Sequence, residues 1–314
     1  MPRKIVAYFC LFLFSGTSLL AAEVQFPLTA KRILFLGDSI THAGHYITLI
    51  ETQLRMTGQA VPEMINLGLP SETACGLSEP DHPFPRPDVH ERLERALDKV
   101  NPDVVVACYG MNDGIYYPFS KERFVTYQQG IKRLIDKVHK SGAKLILMTP
   151  PAFDPLPLRK QGKLRGPNAE KYAWFAIYEN YDQEVLRRYA EWIVEQHDRV
   201  EMVIDLHTPV VNYVVAKRKK KPDFTMSPDG VHVNNEGHSV LAAAIMKAWQ
   251  IEQKLPNSEL LEVVAKRQQL LHQAWVSHVG HKRPGVKAGL PIEEARKSAA
   301  KMEKQIKHLL EGIQ

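Results

Sequence analysis

An α/β fold, with helices on both faces of a five-stranded parallel sheet and a purely helical C-terminal extension, is what this 314-residue sequence predicts. Two observations carry the prediction. From Arg32 onward short apolar runs alternate with longer segments of helical period, the pattern of strands joined by crossover helices. The runs are also almost continuously apolar, as strands covered on both faces must be. Composition is compatible, since 44% hydrophobic and 24% charged residues sit near the globular average. That balance excludes a disordered chain, a collagenous chain and a multi-span membrane protein.

The candidate strands are Arg32 to Gly37, Met64 to Gly68, Val104 to Gly110, Lys144 to Thr149 and Val200 to Leu206, which suggests a flavodoxin-like three-layer α/β/α arrangement. Segments near His45 to Met56, Asp88 to Val100, Lys121 to His139 and Glu170 to His197 have amphipathic helical spacing. Asp88 and Ser120 stand where N-caps are expected, because their side chains accept from backbone N–H groups that no helical carbonyl reaches. Pro102 stops the second helix because it has no N–H to give. Three stretches read as loops: the Pro-rich Leu77 to Pro87 with His82, the Pro-, Gly- and Lys/Arg-rich Phe153 to Asn168, and the basic Lys217 to Lys221. Loops at the carboxyl ends of strands shape the ligand site in such sheets. The basic run reads as a solvated face, and no nucleic-acid partner is expected. After Trp249 helices alone follow, near Ser258 to Val279 and Ile292 to Glu311, as a clasp on the domain or an oligomer contact.

The N terminus reads as a targeting segment. Pro2-Arg3-Lys4 precedes an apolar run from Ile5 to Phe14, and Leu20-Ala21-Ala22 stands before Glu23, so residues 1–22 are expected to be a secretory signal peptide. Ser15, Gly16, Thr17 and Ser18 break the apolar run below the roughly 18 to 20 residues a spanning helix needs, so export and cleavage are expected rather than a lasting membrane anchor. Cleavage removes Arg3 and Lys4 and no acid, lowering the formal net charge from +6 to +4. The remaining chain divides into residues 23–254 and the extension 255–314. Cys10 leaves with the leader, and Cys75 and Cys108 either form one disulfide or stay as buried thiols.

Four short blocks carry chemistry. The first strand runs into Gly37-Asp38-Ser39-Ile40-Thr41, a turn that exposes a serine hydroxyl where a helix starts; Ser39 is equally a plain helix cap. Asn66-Leu67-Gly68 ends the second strand with a glycine whose backbone can approach a ligand, or merely ends the strand. Tyr109-Gly110-Met111-Asn112-Asp113-Gly114 places an Asn amide at the same sheet edge, as an oxyanion donor or an Asx turn. Ser227-Pro228-Asp229-Gly230-Val231-His232 is an ordinary turn by composition. It can also hold a carboxylate against an imidazole three residues later, the base and its orienter in a triad.

In the order and spacing of these blocks, across roughly residues 32 to 250, the chain resembles the SGNH hydrolases, also called GDSL esterases or lipases. The resemblance implies Ser39 as nucleophile, His232 as base and Asp229 as its partner. It also implies an oxyanion hole made by the backbone N–H groups of Ser39 and Gly68 and the amide of Asn112, a flavodoxin-like fold, and no metal or cofactor. One departure is visible. Where the family often has a small Ser-Gly pair after the second-block glycine, this chain has Leu69-Pro70-Ser71-Glu72.

The expected reaction is therefore acyl transfer from a small-molecule or polysaccharide ester, with acetyl groups on carbohydrate first. Tyr116 and Tyr117 are candidate sugar-stacking residues. A lysophospholipase-like lipid ester hydrolase and a non-catalytic carbohydrate- or envelope-binding protein are the alternatives. A metal phosphoesterase using Asp38, His42, His45, Asn112, Asp113 and His232 is the remaining rival, weakened because no second acid follows Asp38 at a two-metal spacing.

Overall fold

The computed structural model describes residues 25–59, 61–255 and 257–312. The expected signal peptide over residues 1–22, with Cys10, lies outside the described residues. The five central strands are β1 (Arg32–Gly37), β2 (Glu63–Asn66), β3 (Val104–Cys108), β4 (Lys144–Met148) and β7 (Met202–Ile204). They form one parallel sheet in the order β2-β1-β3-β4-β7. β1 and β3 are buried along nearly their whole length, which is why their sequences are continuously apolar.

Helices cover both faces. α2 (His45–Met56) and α7 (His207–Arg218) both pack on α8 (Asn235–Ala248), while α3 (Val89–Val100) packs on α4 (Lys121–Lys140), which itself rests on β4. The expected N-caps are present, Asp88 accepting from the His90 N–H at 2.9 Å and Ser120 from the Arg123 N–H at 3.2 Å. Among the described residues no helix is long and apolar enough to cross a membrane.

The expected helix from Glu170 to His197 begins only at Tyr181, as a π-type turn (Tyr181–Leu186) running into α6 (Arg187–Val194). Its apparent first turns are instead a loop, folded back where Ala173 and Ala176 exchange backbone hydrogen bonds. After that loop β6 (Ile177–Tyr178) pairs in parallel with β5 (Leu164–Arg165), which lies in the stretch expected to be loop, behind the one-turn α5 (Leu156–Lys160). The spacing misled because the aromatic residues there pack on the cleft and on each other instead of on a helix stripe. Helix α7 went unread for the opposite reason. Of its four valines Val210 and Val214 are buried while Val215 is 54% exposed, so no clean stripe exists. Lys217 and Arg218, read as loop, form its last turn, where cations suit the negative end of the dipole.

The C-terminal helices α9 (Ser258–Val279) and α10 (Ile292–Glu311) are a clasp. α9 packs on α2, α3 and the edge strand β2, closing that edge of the sheet. Leu271, Ala274, Trp275, Val276 and Val279 join the main core, and Leu260, Val263, Val264 and Ile306 form a smaller one between the two helices. Arg55 bridges Glu51 at 2.7 Å and Glu303 at 2.6 Å, and Arg267 reaches the same two carboxylates at 3.1 and 3.2 Å. Such a shared network holds better than isolated surface pairs, since each buried charge has more than one partner. Cys75 and Cys108 are separate buried thiols, so the disulfide alternative does not hold.

Candidate active site

The segments after β1 and β3 and the one before α8 bring Ser39, Asn112, Asp229 and His232 together, and the segment after β2 joins them through Ser71. Gly37 ends β1 where a Cβ would stand 2.3 Å from Thr41 Oγ1 and 2.9 Å from the Cys108 carbonyl, so only glycine fits. Asp38 then caps the short α1 (Ser39–Ala43), accepting from the Ile40 N–H at 2.9 Å, and Ser39 opens the helix at the cleft. Burial pushes the Asp38 carboxyl up to about 6, against the opposing pull of the Ile40 N–H and His232.

The segment before α8 supplies the imidazole. Gly230, at φ 80°, closes a turn by donating its N–H to the Ser227 carbonyl at 2.8 Å. Within that turn Asp229 Oδ1 accepts from the backbone N–H groups of Val231 at 3.0 Å and His232 at 2.7 Å. Asp229 Oδ2 lies 2.6 Å from His232 Nδ1, and His232 Nε2 lies 2.7 Å from Ser39 Oγ. The carboxylate can only accept, so Nδ1 carries the proton and Nε2 is left to accept the serine O–H. Burial works against ionisation of Asp229, but the hydrogen bonds from the His232 ring and backbone outweigh it and hold the carboxyl at about 2. Its bond to Asp229 raises the His232 pKa above the ordinary imidazole value, despite partial burial.

Across the cleft, Asn112 has a determined orientation. Its Oδ1 accepts from Arg86 Nη1 at 3.0 Å and from the Tyr116 hydroxyl at 2.9 Å, and its Nδ2 donates to the Glu72 carbonyl at 3.1 Å. One amide hydrogen of Nδ2 remains for a ligand. Arg86 is held by a buried two-pronged pair with Glu79 at 2.6 and 2.7 Å. Tyr116 borders the cleft but is 4% exposed, with its hydroxyl on Asn112 and Arg86 5.3 Å from the centre of its ring, so little of its face is open. Tyr117 packs on Tyr172 at 5.1 Å beneath Arg123 and is not part of the cleft wall.

Gly68 is not where the sequence places it. Its N–H donates to Asn66 Oδ1 at 2.8 Å, and a Cβ there would lie 2.2 Å from the His42 backbone nitrogen. That glycine is required by the close crossing of two backbones, and its N–H is spent inside the fold. The residue at the cleft is Ser71, whose φ of 67° turns the chain into the site. Its N–H has no acceptor among the described residues. The segment is fixed from behind, where buried Glu72 takes two bonds from Arg92 at 2.6 and 2.7 Å and one from the Tyr109 hydroxyl at 2.7 Å.

The resulting cleft encloses about 300 Å³ and is walled by Ser39, Ser71, Asn112, Asp229 and His232 together with residues that sequence reasoning did not place there. Trp174 and Phe175, 51% and 40% exposed, stand on its rim. Their adjacency was a visible signal, masked by the helical spacing around them. The expected Tyr116 lines it too, as do His82, Arg86, Lys163 and Arg283. The metal-ligand set is dispersed. Asp113 accepts from the Ala74 and Cys75 N–H groups, His42 bonds the Gly68 carbonyl and His272, and His45 stacks on His238. Among the described residues no three His, Cys, Asp or Glu side chains are grouped as a metal site requires.

The model of the GDSL-like Lipase/Acylhydrolase family matches residues 35–240. No curated protein matches the chain. Among solved structures, an acetyl xylan esterase is 24% identical, with a TM-score of 0.51, over 69% of this chain and 98% of its own. The native aryl esterase of M. smegmatis is 21% identical, with a TM-score of 0.50, over 70% and 99%. A gut microbial diltiazem-metabolizing enzyme is 23% identical with a TM-score of 0.52 over 71% of this chain, which spans about half (48%) of that longer protein. A five-stranded parallel sheet in this order, the GDS turn at the end of its first strand and a family match across two thirds of the chain lead to one conclusion: this protein belongs to the GDSL-like lipase/acylhydrolase family and is a carboxylic ester hydrolase.

Proposed function

We propose that Ser39, His232 and Asp229 form a catalytic triad that hydrolyses short acyl esters, acetyl groups on carbohydrate first, by a two-step acyl transfer. The observation that carries the reading is the continuous relay from Asp229 to His232 at 2.6 Å and from His232 to Ser39 at 2.7 Å. Ser39 Oγ bonds to the ester carbonyl carbon while its proton passes to His232 Nε2. The oxyanion is received by the backbone N–H groups of Ser39 and Ser71 and by Asn112 Nδ2, with Ser71 replacing Gly68 in the role the sequence implied. Collapse breaks the bond to the leaving alkoxide, which takes the proton from Nε2. Water then attacks the acyl-enzyme, giving its proton to His232, and the acid leaves as Ser39 regains its hydrogen.

A cleft of about 300 Å³ fits a short acyl group, and the rim aromatics Trp174 and Phe175 offer faces to a sugar ring. The acetyl xylan esterase among the similar structures supports a carbohydrate acetyl ester. We place the protein outside the cytoplasm, delivered by residues 1–22, with residues 23–254 as the hydrolase unit and 255–314 as its clasp. The test is hydrolysis of p-nitrophenyl acetate, butyrate and octanoate by the chain from Glu23, beside Ser39→Ala, with and without EDTA. Turnover falling from acetate to octanoate, indifferent to EDTA and lost by roughly 10⁴-fold or more in Ser39→Ala, is expected. Equal rates for wild type and Ser39→Ala would sink the triad, and a preference for octanoate would replace acetyl by lipid esters.

A further inference from the structure

The cleft carries more positive charge than its own carboxylates balance. Arg86 is neutralised by Glu79, and Asp229 is engaged by His232. Lys163, on the exposed loop before β5, and Arg283, from the linker between α9 and α10, have no carboxylate within 4.0 Å among the described residues. Arg283 is held in place without being neutralised. Its Nε donates to the Pro70 carbonyl at 3.3 Å, its Nη1 to the Pro284 carbonyl at 2.7 Å, and its guanidinium lies 5.0 Å from the centre of the Phe84 ring. A half-buried cation fixed by carbonyls and an aromatic face loses hydration with no anion in return. Burial accordingly depresses its pKa from the ordinary arginine value. His82, another titratable neighbour on that wall, is pushed toward neutrality by burial and by Arg86, and an imidazole in either form offers no negative charge to balance the cations.

From this geometry we infer that Lys163 and Arg283 form an anion subsite beside Ser39, which takes an acidic group, carboxylate or sulfate, on the saccharide that bears the scissile ester. The inference rests on the ester-hydrolase reading of the cleft and specifies its substrate as an acylated acidic glycan. Arg283 is fixed next to Pro70, one residue before Ser71, so an anion bound there is positioned against the same wall that receives the oxyanion. Trp174 and Phe175 on the rim serve a sugar ring, and the two cations serve its charge. The C-terminal clasp thereby contributes to recognition, since Arg283 is its residue in the cleft.

The experiment compares kcat/KM for acetylated oligogalacturonide, an acetylated sulfated glucan oligosaccharide and neutral acetylated xylo-oligosaccharide, in wild type, Arg283→Gln, Lys163→Gln and Lys163→Glu, between about 20 and 300 mM salt. The expected result is a wild-type preference for one or both acidic substrates that drops about tenfold in Arg283→Gln, drops in Lys163→Gln and falls further in Lys163→Glu. The preference should also weaken as salt rises. Whichever acidic substrate shows the effect identifies carboxylate or sulfate. A purely structural Arg283 would lower all three rates together. An acidic-to-neutral ratio that stays within twofold across variants and salt overturns the subsite, provided p-nitrophenyl acetate is still hydrolysed by wild type and not by Ser39→Ala. Should no ester be turned over, calorimetric titration of Ser39→Ala with oligogalacturonide and the sulfated oligosaccharide decides separately. Binding weakened by Arg283→Gln keeps the subsite, and no binding to either removes it.

Discussion

Two histidine sites border Pro70, and only one of them has the chemistry of a base. His232 faces the cleft of about 300 Å³ with a carboxylate on one ring nitrogen and a serine on the other. His272 and His42 face a larger cavity of about 810 Å³, between α2, α8 and α9, and bond each other at 2.9 Å. His272 Nδ1 donates to the Asn66 carbonyl at 2.8 Å, which leaves its Nε2 to accept from His42 Nδ1. Burial, with no carboxylate to oppose it, lowers the pKa of both and holds His272 at about 4. The same side chain is raised in one setting and lowered in the other. Cavity size does not choose the reactive site; a carboxylate behind the imidazole and a hydroxyl in front of it do.

The comparison breaks most sharply at the carboxylate. Asp229→Asn should cost about 10³- to 10⁴-fold in kcat, because the amide favours the wrong tautomer of His232. The acid limb of the pH–rate profile, set in wild type by the raised His232 pKa and so above pH 6.5, should move to lower pH in the variant. A steady-state pH series on p-nitrophenyl acetate reads both effects, and an unmoved limb would mean that another group titrates.

The next effect in size separates oxyanion donors from architecture. Asn112→Ala should lower kcat by about 10²- to 10³-fold with little change in KM. Ser71→Gly keeps the backbone N–H and suits the φ of 67°, so activity should stay within about threefold. Gly68→Ala, with its Cβ 2.2 Å from the His42 nitrogen, should instead cost about 1–3 kcal/mol of stability, read by denaturant unfolding. If Gly68→Ala folds as wild type, the close crossing of the two backbones is not tight.

The smallest effect belongs to the second histidine site. His272→Gln should leave ester turnover within about twofold and alter the pH dependence of stability. A histidine held at about 4 when folded and near 6.5 when unfolded binds fewer protons in the native state, so wild type loses stability as pH falls from 6.5 toward 4. The variant should lose less over that window, measured as a difference from wild type. Asp38 and Asp113, whose carboxyls burial raises to about 6, act in the opposite direction and cancel in that difference. A steeper acid loss in the variant would mean that His272 is protonated in the fold.

Most of the geometry of the proposed triad was legible because its members sit in local structures that their own neighbours dictate. Asp229 and His232 are three apart in a Pro-Asp-Gly turn, and Ser39 directly follows a strand whose last residue must be glycine. The backbone N–H proposed as the second oxyanion donor was not, because Gly68 and Ser71 differ only in how the segment after β2 crosses His42, a contact between residues 26 apart. Tyr116 was read as a stacking surface for a similar reason. Nothing in Gly114-Ile115-Tyr116-Tyr117 shows that one hydroxyl turns inward to Asn112 while the next ring packs on Tyr172. The Trp174-Phe175 rim was hidden by a spacing that a helix and an aromatic loop share.

By itself the sequence determined the parallel sheet, the turn that exposes Ser39 and the pairing of Asp229 with His232, since strand burial, tight turns and short-range hydrogen bonds depend on residues close in the chain. Only the tertiary structure decided which backbone N–H faces the cleft, that Arg86 and Tyr116 orient Asn112, and that a linker residue more than 240 positions after Ser39 reaches the same wall. Those outcomes are set by packing between distant segments, where a shift of one residue or one φ exchanges a buried partner for an open site.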